Sequence, residues 1–118
     1  MKYVNRCVVT LKPRDAFIEW VKKLDIQQPE DWTFEGASYL LDEESSEEAI
    51  IESIKIQAEA ILTNELSVWT EDRSLWPKGR GYNQLSCFFE YCISVVGFDL
   101  GQASLLRADM ASDNVMFT

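Results

Sequence analysis

Residues 46–77 read SEEAIIESIKIQAEAILTNELSVWTEDRSLWP, and the way this stretch winds decides the fold. Set at 100° per residue, Ile50, Ile51, Ile54, Ala58, Ile61, Leu62, Val68 and Trp69 fall in one arc of roughly 120°, as in a helix packed on a core. Glu52, Glu59, Thr63 and Ser67 fall on the far side, where water can hold them. Two residues break the pattern: Ile56 points to the polar side, and Glu65 into the middle of the apolar arc. Ser45 stands three residues before Glu48, so its hydroxyl can accept from the Glu48 amide while the Glu48 carboxylate reaches back. Glu43, Glu44 and Glu47 suit the positive end of a helix dipole. The spacing predicts a helix up to Thr63.

Beyond Thr63 two readings diverge. If the helix continues to Trp69, Glu65 is a carboxylate among apolar neighbours, with a pKa raised by desolvation, and such groups are candidates for function. If Thr63-Asn64 bends or ends the helix, Glu65 rotates out to solvent. The preference of asparagine for helix ends favours the second reading. The segment Trp69-Thr70-Glu71-Asp72-Arg73-Ser74-Leu75-Trp76-Pro77 follows. Pro77 restricts Trp76 to extended geometry, so any helix has ended by then. Trp76 is expected to fold back beside Trp69 as a hydrophobic plug under the loop. Asp72 and Arg73 read as an ion pair or as a recognition feature.

The whole chain has 118 residues, 47% of them hydrophobic, with four Trp, enough for one folded two-layer core. Its net charge of −9 is unevenly spread. Residues 1–24 carry six Lys or Arg against two acids, a net +4; residues 25–72 carry fourteen acids and only Lys55, a net −13; residues 73–118 balance at four of each. The acidic block argues against nucleic-acid phosphates and anionic membranes as partners. It leaves a basic protein partner, or solubility alone, as its purpose. With no His, the usual catalytic triads, the usual general base and most catalytic zinc sites are excluded. Three Cys without zinc-finger spacing, and no secretory or membrane-spanning run, point to reduced thiols in a cytosol. A calcium loop beginning at Asp42 fails, since Glu47 stands where its glycine belongs and Ser53 where its bidentate Glu belongs. No cofactor or metal motif is present.

On either side of the long helix the pattern is simpler. Residues 3–11 alternate as a strand, with Tyr3, Cys7, Val9 and Leu11 on one face. Pro13 fits the first turn of a helix over 13–24, with Phe17, Trp20, Val21 and Leu24 as its apolar stripe and Lys22 and Lys23 near its end. Residues 25–36 read as a loop with Pro29, Trp32 and Gly36, and Ser38 to Leu41 as a short strand. Lys78-Gly79-Arg80-Gly81 is a basic turn without the P-loop pattern. A short helix over 82–87 leads to a strand from Phe88 to Phe98, apolar on both parities and so expected inside the sheet. Residues 1–100 form one domain and 101–118 a C-terminal extension, ordered in part, with Leu105, Leu106, Val115, Met116 and Phe117 available to pack.

The β-α-β-α-α-β order predicts an α+β two-layer sandwich, a sheet of three or four strands covered on one face by two main helices. Three functional readings follow. The first is a small acidic, non-enzymatic interaction module that meets a protein partner or a second copy. Its surface would be the acidic helix start (Glu43, Glu44, Glu47, Glu48) or the Trp-framed loop (Trp69, Asp72, Arg73, Trp76). The second is a small-ligand binder or enzyme using the carboxylates Glu65 and Asp72, with Arg73 or Arg80 as an anion clamp. The third, redox chemistry at Cys87 or Cys92, requires an exposed thiol of low pKa, and the apolar neighbours of both favour burial.

The run Asn5-Arg6-Cys7-Val8-Val9-Thr10-Leu11-Lys12-Pro13-Arg14, then Phe17 to Trp20, then Trp69-Thr70-Glu71-Asp72 to Trp76-Pro77, resembles a group of short bacterial cytosolic proteins. They share a strand–Pro–Trp-helix opening and a later Trp-acidic-Trp-Pro segment. The resemblance covers roughly residues 4–100 and implies a bacterial cytosolic origin. It carries no activity and therefore no functional residues, and the tail after Gly101 departs from it.

Overall fold

A computed structural model describes residues 1–24 and 36–110; the expected loop residues Pro29 and Trp32, and Val115, Met116 and Phe117, lie outside them. The sheet is centred on β2 (Arg6–Pro13), flanked antiparallel by β3 (Ser38–Asp42) and β4 (Phe89–Ser94). A second, two-stranded ladder joins β1 (Lys2–Val4) to β5 (Gly97–Asp99). The helices are α1 (Asp15–Lys22), α2 (Glu47–Ser67) and α3 (Tyr82–Phe88). The architecture is α+β, the short third helix falling where the sequence placed it, with a second small sheet added to the expected plan.

Alternation along β2 explains the layers. Cys7, Val9 and Leu11 are buried, and with Leu41 of β3 and Phe89 of β4 they form the sheet side of the core. Phe17 and Val21 of α1, Leu85 and Phe88 of α3, and Ile50, Ile54, Ala58, Ile61, Leu62 and Leu66 of α2 close it from above. The other parity (Thr10, Lys12, Leu40, Glu90, Cys92, Ser94) faces water, as in a half-covered antiparallel sheet. Phe17 sits at the centre of an aromatic cluster, 4.6 Å from Phe89 and 5.4 Å from Phe88 between ring centroids.

The long helix forms as its arc predicts, but it starts and stops elsewhere. Its cap is Ser46, whose hydroxyl accepts from the Ala49 amide at 3.1 Å; Ser45 lies one residue outside. It continues four residues past Thr63, so Thr63-Asn64 neither bends nor ends it. Magnitudes decide this. Thr and Asn each lower helix propensity by at most about 0.7 kcal/mol, whereas burying Leu66 completely gains about 1.5–3 kcal/mol. Val68 falls just beyond the end and is exposed, although its position in the arc matched Ile50.

Other expectations are corrected. Pro13 is the last residue of β2, opposite Phe89, and α1 begins only at Asp15. A missing N–H costs nothing at a strand terminus either. Asn5 divides the first strand in two, and the partnered Tyr3 and Phe98 are both more than half exposed. The segment 88–98 is not an inner strand. Phe88 ends α3, β4 lies at the edge of the three-stranded sheet, and Val95 and Val96 precede β5 as exposed residues. Its double apolar parity came from elements of different kinds placed end to end. Leu105 and Leu106 are exposed and belong to no helix or strand.

Candidate functional site

The start of β3 is drawn tightly onto β2. The Leu11 amide donates to the Ala37 carbonyl at 3.1 Å. A Cβ on Gly36 would lie 2.7 Å from the Leu11 Cβ and 2.8 Å from its carbonyl oxygen, so the close approach requires glycine. Tyr39 then points inward from β3 and meets the last turns of α2. Its hydroxyl donates to Glu65 Oε2 and accepts from the Asn64 side-chain amide at 2.9 Å. Asn64 thus spends its side chain across the fold, where it does not compete with the helix backbone.

Glu65 is 6% exposed, the one buried charged or polar residue among those described. Burial pushes its carboxyl up from the ordinary 4.5, partly offset by the Tyr39 hydroxyl and the Ala37 amide. Burial likewise raises the Tyr39 hydroxyl well above the usual phenol range, against the opposing Asn64 bond. The Tyr39 hydroxyl ties Glu65 and Asn64 together, so the cluster reads as a fastening between β3 and α2.

Beside it runs a groove of about 500 Å³ between β3 and α2. Tyr39, Leu40 and Asp42 form one wall and Ser53, Ile56 and Ala60 the other. Ile56, which did not fit the core arc, is 79% exposed on this wall, and Leu40 is 61% exposed at the strand. A second groove, about 470 Å³, lies at Gly79, Gly81 and Tyr82 to Gln84. Neither is lined by Glu65, Asp72, Arg73 or Arg80.

The Trp-framed loop is held from within. Asp72 does not pair with Arg73 among the described residues; its Oδ1 accepts from the Ser74 amide at 3.1 Å and hydroxyl at 2.6 Å, opening a 3-10 turn over Arg73–Leu75. Trp76 is buried, and its Nε1 donates to the Thr70 carbonyl at 2.9 Å. The Arg73 and Arg80 guanidinium carbons lie 5.0 and 5.7 Å from the Trp76 ring centroid, within cation–π range. Trp69 is half-buried, its ring edge-on to Phe17 at 6.5 Å.

At the opposite end of α2, Glu43, Glu47 and Glu48 are exposed and Glu44 is half-buried. Tyr3 donates to Glu43, and the Glu44 backbone flanks the Cys7 sulfur, its amide 3.4 Å and its carbonyl 3.6 Å away. Asp42, Glu43, Glu44, Glu47, Glu48 and Glu59 make no salt bridge among the described residues, where the ion pairs are Lys12–Glu90 and Lys55–Glu52. Cys7 is buried, while Cys87 and Cys92 are exposed, contrary to the burial their apolar neighbours suggested. No helix among the described residues is long and apolar enough to cross a membrane.

Sequence reasoning missed the groove, Tyr39 and Asn64. The available signal was the spacing Ser53, Ile56, Gln57, Ala60, a second helical stripe displaced from the core arc. Comparison with protein-family models gives no match, and comparisons with curated proteins and with solved structures give none either.

Proposed function

We propose that the protein is a small acidic cytosolic interaction module with no reaction of its own. The observation that carries this reading is the run of carboxylates from Asp42 to Glu48, without cationic partners among the described residues and beside a groove with exposed Leu40 and Ile56 in its walls. Uncompensated charge at a surface attracts a complementary surface and speeds its encounter. The free thiols, two of them exposed, support a reducing compartment. So does the resemblance of residues 4–100 to short bacterial cytosolic proteins. The ligand-site alternative needs Glu65 and Asp72 at one place with groups to spare. Glu65 is instead committed to Tyr39 and Ala37, and Asp72 to its own turn.

The test is affinity capture at low salt with the full chain, against a variant carrying Glu43→Gln, Glu44→Gln, Glu47→Gln and Glu48→Gln. A protein retained by the wild type and lost both from the variant and at high salt is the expected result. Equal retention by both, or none by either with a monomeric mass in light scattering, would end the proposal.

A further inference from the structure

One wall of the groove is the edge of a strand. The sheet order places β3 outermost, and among the described residues no strand pairs with its far side. The Leu11 amide bonds the Ala37 carbonyl, so alternation turns the N–H and C=O groups of Ser38, Leu40 and Asp42 away from β2, towards that open side. Natural edges are usually blunted by charged side chains, Pro or a bulge; Ser38-Tyr39-Leu40-Leu41-Asp42 has one charge, Asp42 at its end, and neither Lys nor Pro. An added strand would find backbone partners on β3. Its inward side chains would meet Ile56 and Ala60 of α2, and its outward ones would lie beside Leu40 on the open sheet face. The exposure of Ile56 and Leu40 then has a use.

Resting on the interaction-module reading above, we infer that this edge takes up a basic, extended segment of a protein partner by strand addition. Charge selects the occupant. Asp42 lies in the groove wall, Glu52 and Glu59 flank Ile56 at i−4 and i+3 along α2, and Glu43, Glu44, Glu47 and Glu48 follow directly on the strand. A second copy would bring an identical acidic rim against this one, each chain at −9. A cationic strand neutralises it.

The probes are two alternating synthetic heptapeptides, Lys/Val and Glu/Val, titrated into the full chain and followed by backbone amide NMR shifts. Shifts from the Lys/Val peptide are expected at 38–42 and 53–60, with none from the Glu/Val peptide. Affinity should fall about tenfold or more both in Ile56→Lys, where an exposed residue leaves the core untouched, and between about 0.05 and 0.5 M salt. Shifts confined to 43–48 would overturn strand addition while leaving the interaction module standing. No binding of the Lys/Val peptide, or binding indifferent to Ile56→Lys, overturns it too. So does a dimer whose own 38–42 shifts depend on concentration, or nuclear Overhauser contacts from the chain's own residues 111–118 to β3. The module itself stands or falls on the capture experiment.

Discussion

At its N-terminal end α2 meets water: Ser46, Glu47 and Glu48 are exposed, and one hydroxyl-to-amide bond of 3.1 Å closes the first turn. Its last two turns run beneath Tyr39, with Leu62 and Leu66 fully buried and Glu65 only 6% exposed. The first end is specified by neighbours in sequence. The second is specified by a residue 26 positions away and holds the strand and helix together. Acid side chains occur at both ends, and their surroundings alone decide which are available to a partner.

The contrast breaks most directly at Leu66. Leu66→Ala is expected to cost about 2–5 kcal/mol in urea unfolding, as for other fully buried leucines. A loss under 1 kcal/mol would mean that the last turns are not fastened. Tyr39→Phe should cost about 1–3 kcal/mol, because it strands the Glu65 carboxyl and the Asn64 amide without their shared partner. It should also push the Glu65 carboxyl further up, since the Tyr39 bond opposes the effect of burial.

Glu65→Gln tests the same end through pH. Burial raises the carboxyl above 4.5, so just above that pH the folded protein keeps a proton that the unfolded chain has lost. Stability therefore falls as pH rises from 4.5 to the raised value and levels off beyond it. Glutamine keeps an acceptor for Tyr39 and removes the ionisation. Relative to wild type, the variant should gain stability across that window, read from urea midpoints between about pH 4 and 8; a pH-independent difference would mean the carboxyl is not held up. The smallest effect belongs to the exposed end: Ser46→Ala should cost about 1 kcal/mol, and Ser45→Ala close to nothing. The reverse order would move the cap back one residue.

The same contrast separates what was legible in the sequence from what was not. Ile50, Ile54 and Ile61 declared the helix and its buried face, because periodicity is local and each residue votes for it. The position of Ser46 against Ser45 turned on a single residue. The fate of Glu65 was not legible, since Tyr39, which partners both it and Asn64, lies on a strand whose pairing depends on Gly36 fitting against Leu11. Where only short-range preference could be consulted, Asn64 read as a helix end. The run 88–98 misled for a related reason, as hydrophobicity does not mark the joint where α3 becomes β4. Of the proposed surface, the acidic turn was visible at once, and the groove was hidden because Ile56 looked like an exception.

The three thiols form a ready-made clock for chain opening. Cys7 is 0% exposed on the central strand, its sulfur lodged against the Glu44 backbone, whereas Cys87 and Cys92 stand open to solvent. A thiol-reactive reagent should therefore label two sites at once and, where reclosing outpaces labelling, the third in proportion to the time β2 spends uncovered. The slow rate reports the fraction of molecules transiently open, and the two fast sites calibrate the reagent within the same molecule, with no engineered cysteine.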